Sequence, residues 1–332
     1  MLFVPTYSSF ARGDIIVTAP QNELLTLRMI AGVENLRDLI QGIDFVATQL
    51  APGPCQGDLM HADLAGLRFS AGTFDAHVRL QGVVPRDRVM ICAMLKYEGA
   101  HGHWNGELAE GDVCVCPAGQ SQKGHFKGST SYVAVSLPLP EIREVARALD
   151  GLDWSRSGLY RPPAQARADL RRKLATCISM LQSFGSDLSG RARAFLRDEI
   201  LDSYLDALAD AVLAGSSPMP IAPGEEIVKL VEDYLAERHP ARVRVNDLCV
   251  ALKISRRTLY RAFHETLGVG PKAYLRLTAL SMARCVLVEA SPGETSVTEV
   301  ALNHGFPELG RFSVLYRQMF GESPSDTLRR QA

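Results

Sequence analysis

The chain has 332 residues, of which 46% are hydrophobic and 22% charged, and its formal net charge at pH 7 is −1. This length allows two domains, and the composition is ordinary for a soluble globular protein. No stretch approaches 18 uninterrupted apolar residues, and the N-terminus MLFVPTYSSFARGD lacks a basic region followed by a long apolar run. The sequence therefore predicts neither a membrane span nor a signal peptide, and it predicts a cytoplasmic location.

The cysteines show no pairing or metal-binding pattern. The seven of them are scattered without CxxC or CxxH spacing, and most stand inside apolar runs, as small buried residues do. The sequence therefore predicts no disulfide framework and no zinc site.

The first 140 residues favour β-structure. Residues 14–18 are strand-like, and residues 33–40 predict a short helix. From Phe45 onward, short apolar runs are separated by glycine, proline and aspartate; they lie at 67–69, 76–80, 88–95, 113–116 and 132–137. This spacing is typical of an all-β sandwich or barrel. A jelly-roll barrel encloses a cavity that can hold a small ligand.

One constellation in this region suggests a metal-dependent enzyme. His101 and His103, followed by Glu107, resemble the first cupin motif, whose histidines and glutamate bind a catalytic metal. The second motif requires a histidine where this chain has Gln122, and His125 could replace it only if the strand slipped in register. A cupin-type enzyme fused to a DNA-binding region is kept as the alternative hypothesis.

The preferred interpretation of the same segment is structural. Residues 101–112 are expected to form a hairpin loop at the mouth of a cupin-like barrel. Cys114 and Cys116 are expected to point to one face of the next strand, because side chains two apart in a strand share a face. No metal and no other cofactor is expected.

Residues 141–213 predict helices at 141–149, 162–184 and 191–213. Apolar residues recur at helical spacing in the two long helices, so both stripes are expected to be buried. The stripes comprise Leu170, Leu174, Cys177, Ile178 and Leu181, and then Phe195, Ile200, Tyr204, Leu208 and Val212. Residues 214–224 are rich in proline and glycine and are interpreted as an exposed linker at a domain boundary.

Residues 225–332 predict an all-helical domain that begins with a helix at 225–237. A helix at 245–252 precedes a second at 256–267, with Ser255 as its N-cap and Gly268 as its terminating glycine. These two helices predict a helix-turn-helix. A long helix at 271–288 then joins this unit to a second one.

The second unit comprises a helix at 298–303, a break at Gly305 and a helix at 308–320. Phe312, Leu315, Tyr316 and Met319 recur at three- and four-residue intervals and are expected to be core. The opposite face of this helix carries Gly310, Arg311, Val314 and Arg317. Two such units on one connecting helix can address successive major grooves on one face of DNA, about 34 Å apart.

The exposed residues of both units are assigned to two roles. Arginine can bind guanine through two hydrogen bonds, and valine can touch a thymine methyl group. Glycine lets the helix backbone approach the DNA closely. The residues expected to contact bases are Arg257, Tyr260, Arg261, His264, Gly310, Arg311 and Val314. Those expected to contact phosphates are Ser255, Arg256, Lys272 and Arg317. The alternative for each arginine is a solvated position on a polar helix face.

The charge distribution supports this assignment. Between residues 253 and 284, seven cations stand against Glu265 alone, a local charge of +6; the cations are Lys253, Arg256, Arg257, Arg261, Lys272, Arg276 and Arg284. A basic run can be a solvated helix face, but beside a helix-turn-helix it favours a patch that faces phosphates. No catalytic residue is assigned.

The motifs at 305–328 resemble the signature of the AraC/XylS family of bacterial transcription regulators. They read Gly-Phe, then Leu309-Gly-Arg-Phe312, Tyr-Arg, Phe-Gly-x-Ser-Pro and Pro324-Ser-Asp-Thr-Leu328. The likeness extends over about 225–330. Pro307 departs from the family, which more often has a residue able to continue the turn at this position, so the lead-in to the last recognition helix is expected to be stiff. More weakly, Leu50-Ala-Pro-Gly-Pro, Gly57 and Gly82-Val-Val-Pro85 resemble the sensor halves of ethanolamine-type regulators.

The resemblance implies a complete architecture and a set of partners. The fold class is α+β: a jelly-roll or cupin-like β-barrel sensor (1–140), a helical dimerisation segment (141–213), a linker (214–224) and a DNA-binding domain with two helix-turn-helix units (225–332). The implied function is an effector-controlled transcription activator. Its implied partners are double-stranded DNA, RNA polymerase, a small-molecule effector and a second copy of the chain. A dimeric regulator without a ligand is a further alternative.

Overall fold

A computed structural model of the chain describes residues 25–104, 107–146, 152–216, 222–291 and 293–330. It consists of an antiparallel β-sheet region followed by a helical region. The strand predicted at 14–18 lies outside the described residues, as do the end of the helix predicted at 141–149 and the centre of the predicted linker.

Eight strands form one antiparallel sheet in the described chain. They are β1 (Leu25–Ile30), β2 (Val46–Gln49), β3 (Gln56–Leu64), β4 (Leu67–Val83), β5 (Arg88–Trp104), β6 (Val113–Cys116), β7 (Ser121–Pro138) and β8 (Gly158–Tyr160). Their order is β1-β3-β4-β7-β5-β6-β8, and β2 pairs with the second half of β4. Among the described residues β1 and β8 do not pair with each other. The predicted barrel is therefore wrong in one respect: the sheet is not closed, because closure requires its two end strands to pair.

The sheet is buried on both faces. In β5 and β7, Ile91 and Val133 belong to the apolar core that includes the long helices, whereas Cys92 and Ala134 belong to the core on the other face. Alternation of side chains along each strand produces this division. It explains why Val113–Cys116 is a continuous buried apolar run. Cys114 and Cys116 share one face, as predicted, with their sulfur atoms 3.4 Å apart.

The predicted hairpin loop at 101–112 is wrong at its start. Strand β5 continues to Trp104 and pairs with β7, so that His103 stands opposite His125 in the register. Both His101 and His103 therefore lie in a strand. The main-chain pairing with β7 extends this strand beyond the point where glycine, a weak strand former, suggested a turn.

Three helices follow or cover the sheet: α1 (Leu139–Ala146), α2 (Ala164–Phe184) and α3 (Gly190–Leu213). In α2 the predicted stripe is confirmed at Leu170, Leu174, Cys177 and Leu181, and Ile178 is half-buried. In α3 the stripe begins at Leu196, whereas Phe195 is 57% exposed. Leu196 is buried because it lies one turn before Ile200 on the face towards the sheet, and Phe195 is turned away from that face.

The helical region has seven α-helices among the described residues: α4 (Pro223–Ala236), α5 (Val245–Leu252), α6 (Arg256–Leu267), α7 (Pro271–Glu289), α8 (Val297–Asn303), α9 (Leu309–Phe320) and α10 (Pro324–Arg329). Short 3-10 helices occur at Val33–Asp38 and Pro240–Arg242. Helix α4 begins two residues earlier than predicted, because Pro223 suits a first helical position. The linker is correspondingly shorter.

The predicted ends of α6 are confirmed. The Ser255 hydroxyl accepts a hydrogen bond from the Thr258 N–H at 3.0 Å, and Gly268 terminates the helix with φ +71°. Helix pairs α5–α6 and α8–α9 pack with α4 and α7 around one apolar core, to which Phe263, Leu280 and Phe312 belong.

Candidate nucleic-acid interface

Helix α6 presents one buried and one exposed face. Leu259, Ala262 and Phe263 are buried, as predicted. Arg257, Arg261 and His264 are exposed and recur at intervals of four and three residues, so they lie on a single face. This face can offer two guanidinium groups and an imidazole to a partner.

Tyr260 supports this face from the side. It is half-buried, its ring centroid lies 6.4 Å from that of His264, and the Arg256 guanidinium carbon lies 5.6 Å from the ring centroid. A cation at this distance is attracted to the negative face of the ring. The Ser255 hydroxyl is engaged as the N-cap and also lies 2.8 Å from the Thr258 hydroxyl.

Helix α9 has the same division. Phe312, Tyr316 and Met319 are buried, and Leu315 is half-buried. The ring of Phe312 packs against Phe306, which precedes the helix, with centroids 5.1 Å apart. The outward face carries four exposed residues: Gly310, Arg311, Val314 and Arg317.

The protein itself does not require glycine at position 310. A Cβ built there meets no atom within 4 Å. Glycine is an unfavourable helix residue, by about 1 kcal/mol relative to alanine in a helix interior. Its open surroundings leave room for a molecule outside the chain to approach the helix backbone.

Arg284 is a correction to the predicted basic patch. It is only 4% exposed, and its guanidinium group donates to Glu34 at 2.5 Å and to Glu322 at 2.7 Å. It therefore neutralises carboxylates inside the protein. Lys272 and Arg276, nearer the start of α7, are exposed.

A buried ion-pair network joins the sheet to α4. Arg79 of β4 is fully buried and donates to both carboxylate oxygens of Glu232, at 2.8 and 3.0 Å, and to Glu225. Burial lowers the pKa of Arg79, but the charges of the two carboxylates outweigh it and hold the pKa above its ordinary value. Lys123 of β7 donates to Asp233 at 2.7 Å. Tyr274 of α7 donates to Glu232 at 2.8 Å.

A second contact joins the 33–38 helix and β2 to α7. Glu34 accepts from Arg284, and Arg37 donates to Glu289 at 2.6 Å. The main-chain N–H of Gln49 donates to the Ser281 hydroxyl at 3.1 Å. The sheet region and the helix that connects both helix pairs are thus held together by directional, charged contacts.

A small apolar cavity lies behind the 33–38 helix, on the sheet face opposite α2 and α3. Its free volume is about 20 Å³, which is room for a single water molecule. The lining residues are Leu39, Ile40, Phe74, Cys92, Met94, Leu108, Asp112, Cys114, Phe126, Thr130, Tyr132 and Leu159. The Asp112 carboxylate is paired with Arg161 at 2.8 Å. Burial raises the pKa of the Cys92 thiol, so that it stays neutral.

The described residues contain no cluster of three or more histidine, cysteine, aspartate or glutamate side chains placed to hold a metal ion. His125 lies on β7 with its Nε2 3.0 Å from Nε2 of His77. Over the same part of the chain, no helix is long and apolar enough to cross a bilayer.

Known proteins similar to this chain identify its family. A family model described as a helix-turn-helix domain matches residues 248–330. The "XylDLEGF operon transcriptional activator" of Pseudomonas putida is 41% identical over 105 residues, which are 32% of this chain and 32% of that protein. "XylDLEGF operon transcriptional activator 2" from the same organism is 36% identical over 105 residues, and the match covers 67% of that protein. The chain belongs to the AraC/XylS family of transcription regulators.

One further relative extends the match beyond the C-terminal region. "HTH-type transcriptional activator RhaS" of Klebsiella pneumoniae is 25% identical over 230 residues, 67% of this chain and 79% of that protein. A probable AraC family regulator from Rhodopseudomonas palustris, of known structure, is 36% identical over 32% of this chain and 97% of that chain, with a TM-score of 0.30. The match spans about a third of the length of the Pseudomonas activator named first.

In this AraC/XylS-family chain, the sequence patterns did not indicate the roles of Arg79, Lys123 and Arg244. Arg79 and Lys123 stand in apolar strands, and a cation in a strand buried on both faces is a signal for a partner carboxylate. Arg244 was not recognised as part of the basic surface, because it precedes the basic run in the sequence. Only the packing of α7 against the 240–246 segment brings it near Lys272 and Arg276.

Proposed function

We propose that the chain is a sequence-specific DNA-binding transcription activator in which α5–α6 and α8–α9 act as two helix-turn-helix units. One observation supports this most strongly: α6 and α9 each bury an apolar face and expose a face bearing arginine. In this arrangement Arg257, Arg261 and Arg311 read guanine edges, whereas Arg256, Lys272 and Arg317 hold phosphates. The activator names of the Pseudomonas relatives support the direction of regulation.

Selection of bound duplexes from a random pool by the full chain tests this function. The selected sequences should contain two conserved blocks with centres about one helical turn apart, because both units face one side of the DNA. Mapping of bound sites in the source genome would then name the regulated genes. Recovery of no preferred sequence would reject the proposal.

We also propose that the sheet region binds a small effector, and that this effector is apolar and uncharged. Among the described side chains that line the cavity, the one carboxylate is already neutralised by Arg161, and none is a cation. A free carboxylate or ammonium group would be left unpaired there, at a cost of several kcal/mol.

Binding of such an effector requires the cavity walls to move, since the free volume holds only one water molecule. Leu39 and Ile40 form one wall and directly follow the 33–38 helix, which contacts α7 through Glu34 and Arg37. Displacement of this wall would therefore change how α7 is held. An effector acts in this way only if its affinity differs between the two arrangements.

A thermal-shift screen of apolar and anionic compounds tests the effector. A ligand at 100 times its Kd adds about 2.7 kcal/mol of stability. Stabilisation by neutral aromatic or aliphatic compounds would support the proposal, and stabilisation by carboxylates alone would contradict it. If no compound stabilises the chain, the hypothesis of a dimeric regulator without a ligand gains support.

The dimer and RNA polymerase remain part of this proposal. The exposed ring of Phe195 on α3 offers an apolar contact to a second copy. The enzyme alternative gains no support from the relatives, whose names describe transcriptional activators.

A further inference from the structure

A cleft separates the two helix pairs of the C-terminal region. It has a volume of about 460 Å³. It is lined by the 240–246 segment, by Arg256 at the start of α6, by α7 and by the turn at 304–306 between α8 and α9. Each of the two proposed reading units therefore contributes to one edge of it.

The described residues that line this cleft include four cations and no carboxylate. The cations are Arg244, Arg256, Lys272 and Arg276. All four are exposed, and in the described part of the chain none of their side-chain nitrogens forms an ion pair with a carboxylate; the Asp247 carboxylate accepts only from the main-chain N–H of Arg244. Like charges gathered in this way repel one another, so their convergence without a counter-charge predicts an anionic partner from outside the chain.

The buried arginines, unlike those of the cleft, are neutralised by carboxylates. Arg79 and Arg284 are buried and are each matched with two carboxylates. The chain thus neutralises the cations that it uses for its own folding. The cations of the cleft are exposed to water and do not enclose a space. We therefore expect them to bind an extended polyanion rather than a small anion that must be enclosed.

We propose that this cleft binds the sugar–phosphate backbone of the DNA segment between the two major grooves, with Arg244 and Arg276 as phosphate ligands beside Arg256 and Lys272. This inference rests on the proposed function. Recognition helices in successive major grooves lie about 34 Å apart, so the protein surface between them faces the intervening minor groove and its two backbones. Such contacts fix register and affinity without reading sequence.

The variants Arg244→Gln and Arg276→Gln, alone and together, test this site in the full chain. Arg191→Gln is the matched control, because Arg191 is an exposed arginine on α3, outside the helical C-terminal region. Affinity is measured for a duplex selected by the wild type and for a scrambled duplex, over a range of KCl concentrations. Each cleft substitution should reduce the log–log salt slope by about 0.9 on both duplexes and leave their affinity ratio unchanged. The control should do neither.

A second measurement locates the contact on the DNA. Neutral methylphosphonate linkages are placed in the selected duplex midway between its two conserved blocks. The wild type should lose affinity for this duplex, and the double variant should lose less beyond its own defect, because two of the four proposed phosphate ligands are already absent.

Three results would overturn the inference. They are a double variant with the wild-type salt slope, a loss of affinity confined to one base pair, and equal sensitivity of both proteins to the neutral linkages. In each case the wild type still prefers its selected duplex, so the proposed function stands. A wild type without any preference rejects the proposed function itself.

Discussion

At the scale of single residues, the base contact and the phosphate contact proposed for α9 differ in their position along the helix. Arg311 stands in the first turn of this helix, whereas Arg317 stands in the last turn. Recognition helices usually meet base edges with their N-terminal residues. The two exposed arginines should therefore act differently, although their side chains are chemically identical.

Arg311→Ala should cost about 1–3 kcal/mol on the selected site and relax the preference at one base pair. Arg317→Ala should weaken specific and non-specific DNA about equally and reduce the log–log salt slope by about one. Binding to single-base variants at several salt concentrations measures both effects. A uniform loss for both variants would mean that Arg311 also holds a phosphate, and that specificity resides mainly in Arg257 and Arg261.

Gly310→Ala should affect the stability of the protein and its affinity for DNA in different ways. The added methyl group meets no atom of the protein, so the variant should be at least as stable as the wild type, by up to about 1 kcal/mol. Its affinity for the selected duplex should fall, because the methyl group occupies the space proposed for close approach of DNA. Thermal melts and binding isotherms check the two effects. Unchanged affinity would remove Gly310 from the interface.

Buried His61 should contribute a pH-dependent term to stability. Burial lowers its pKa in the folded protein, and its Nδ1 lies 3.0 Å from the Ser70 hydroxyl. The folded state therefore takes up this proton less readily than the unfolded chain, and its stability falls as the pH drops below the unfolded value of about 6.5. The difference in the free energy of unfolding between the wild type and His61→Gln should decrease as the pH is lowered from neutral to about 5.5. Urea unfolding measures it, with the exposed His264→Gln as control; a constant difference would contradict the prediction.

At the scale of elements, the contact between α4 and strands β4 and β7 of the sheet depends on buried charge. Removal of one partner of a buried ion pair is costly because the other remains uncompensated in a poorly solvated place. The side chains of Arg79 and Glu232 are both fully buried. The surface pair Arg172 and Asp169, by contrast, is largely hydrated, with exposures of 65% and 40%.

Arg79→Met should therefore destabilise the full chain by about 3–5 kcal/mol, whereas Arg172→Met should cost less than about 1 kcal/mol. The double variant Arg79→Met with Glu232→Leu should recover part of the loss, since the fully buried carboxylate is then removed and only Glu225, which is slightly exposed, is left without Arg79. Urea unfolding of the three variants measures these differences. Equal small losses for both single variants would show that α4 does not stay docked on the sheet in solution.

At the scale of the whole molecule, the helical region has a core of its own. Its buried cluster runs from α4 to α9, and Leu50 is the one fully buried residue of the sheet region that belongs to it within the described chain. The remaining contacts between the helical region and the sheet region are mainly polar. The carboxylates of α4 that take part in these contacts can be hydrated when the sheet is absent.

A fragment comprising residues 223–332 should consequently fold and bind the selected duplex more weakly than the full chain. It should also ignore any effector. Circular dichroism and binding isotherms test this, with a fragment comprising residues 25–216 as the control that should not bind DNA. A folded 223–332 fragment without DNA preference would reject both reading units.

The sequence alone determined the helices of the C-terminal region and the faces that they bury. Helical periodicity, the N-cap at Ser255 and the terminating glycine at 268 are local signals, and each depends on neighbours within a few residues. The family resemblance rested on the same local motifs. Similar local reasoning identified the buried stripe of α2 and the shared face of Cys114 and Cys116.

Only the tertiary structure decided features that join distant parts of the chain. It placed Arg284 inside, against Glu34, 250 residues away, although local charge assigned it to the DNA surface. It left the sheet open, because alternation of side chains describes a strand but not whether the end strands pair. It also brought Arg244 to the cleft with Lys272 and Arg276. Contacts of this kind depend on how whole elements pack, and no short sequence pattern encodes that packing.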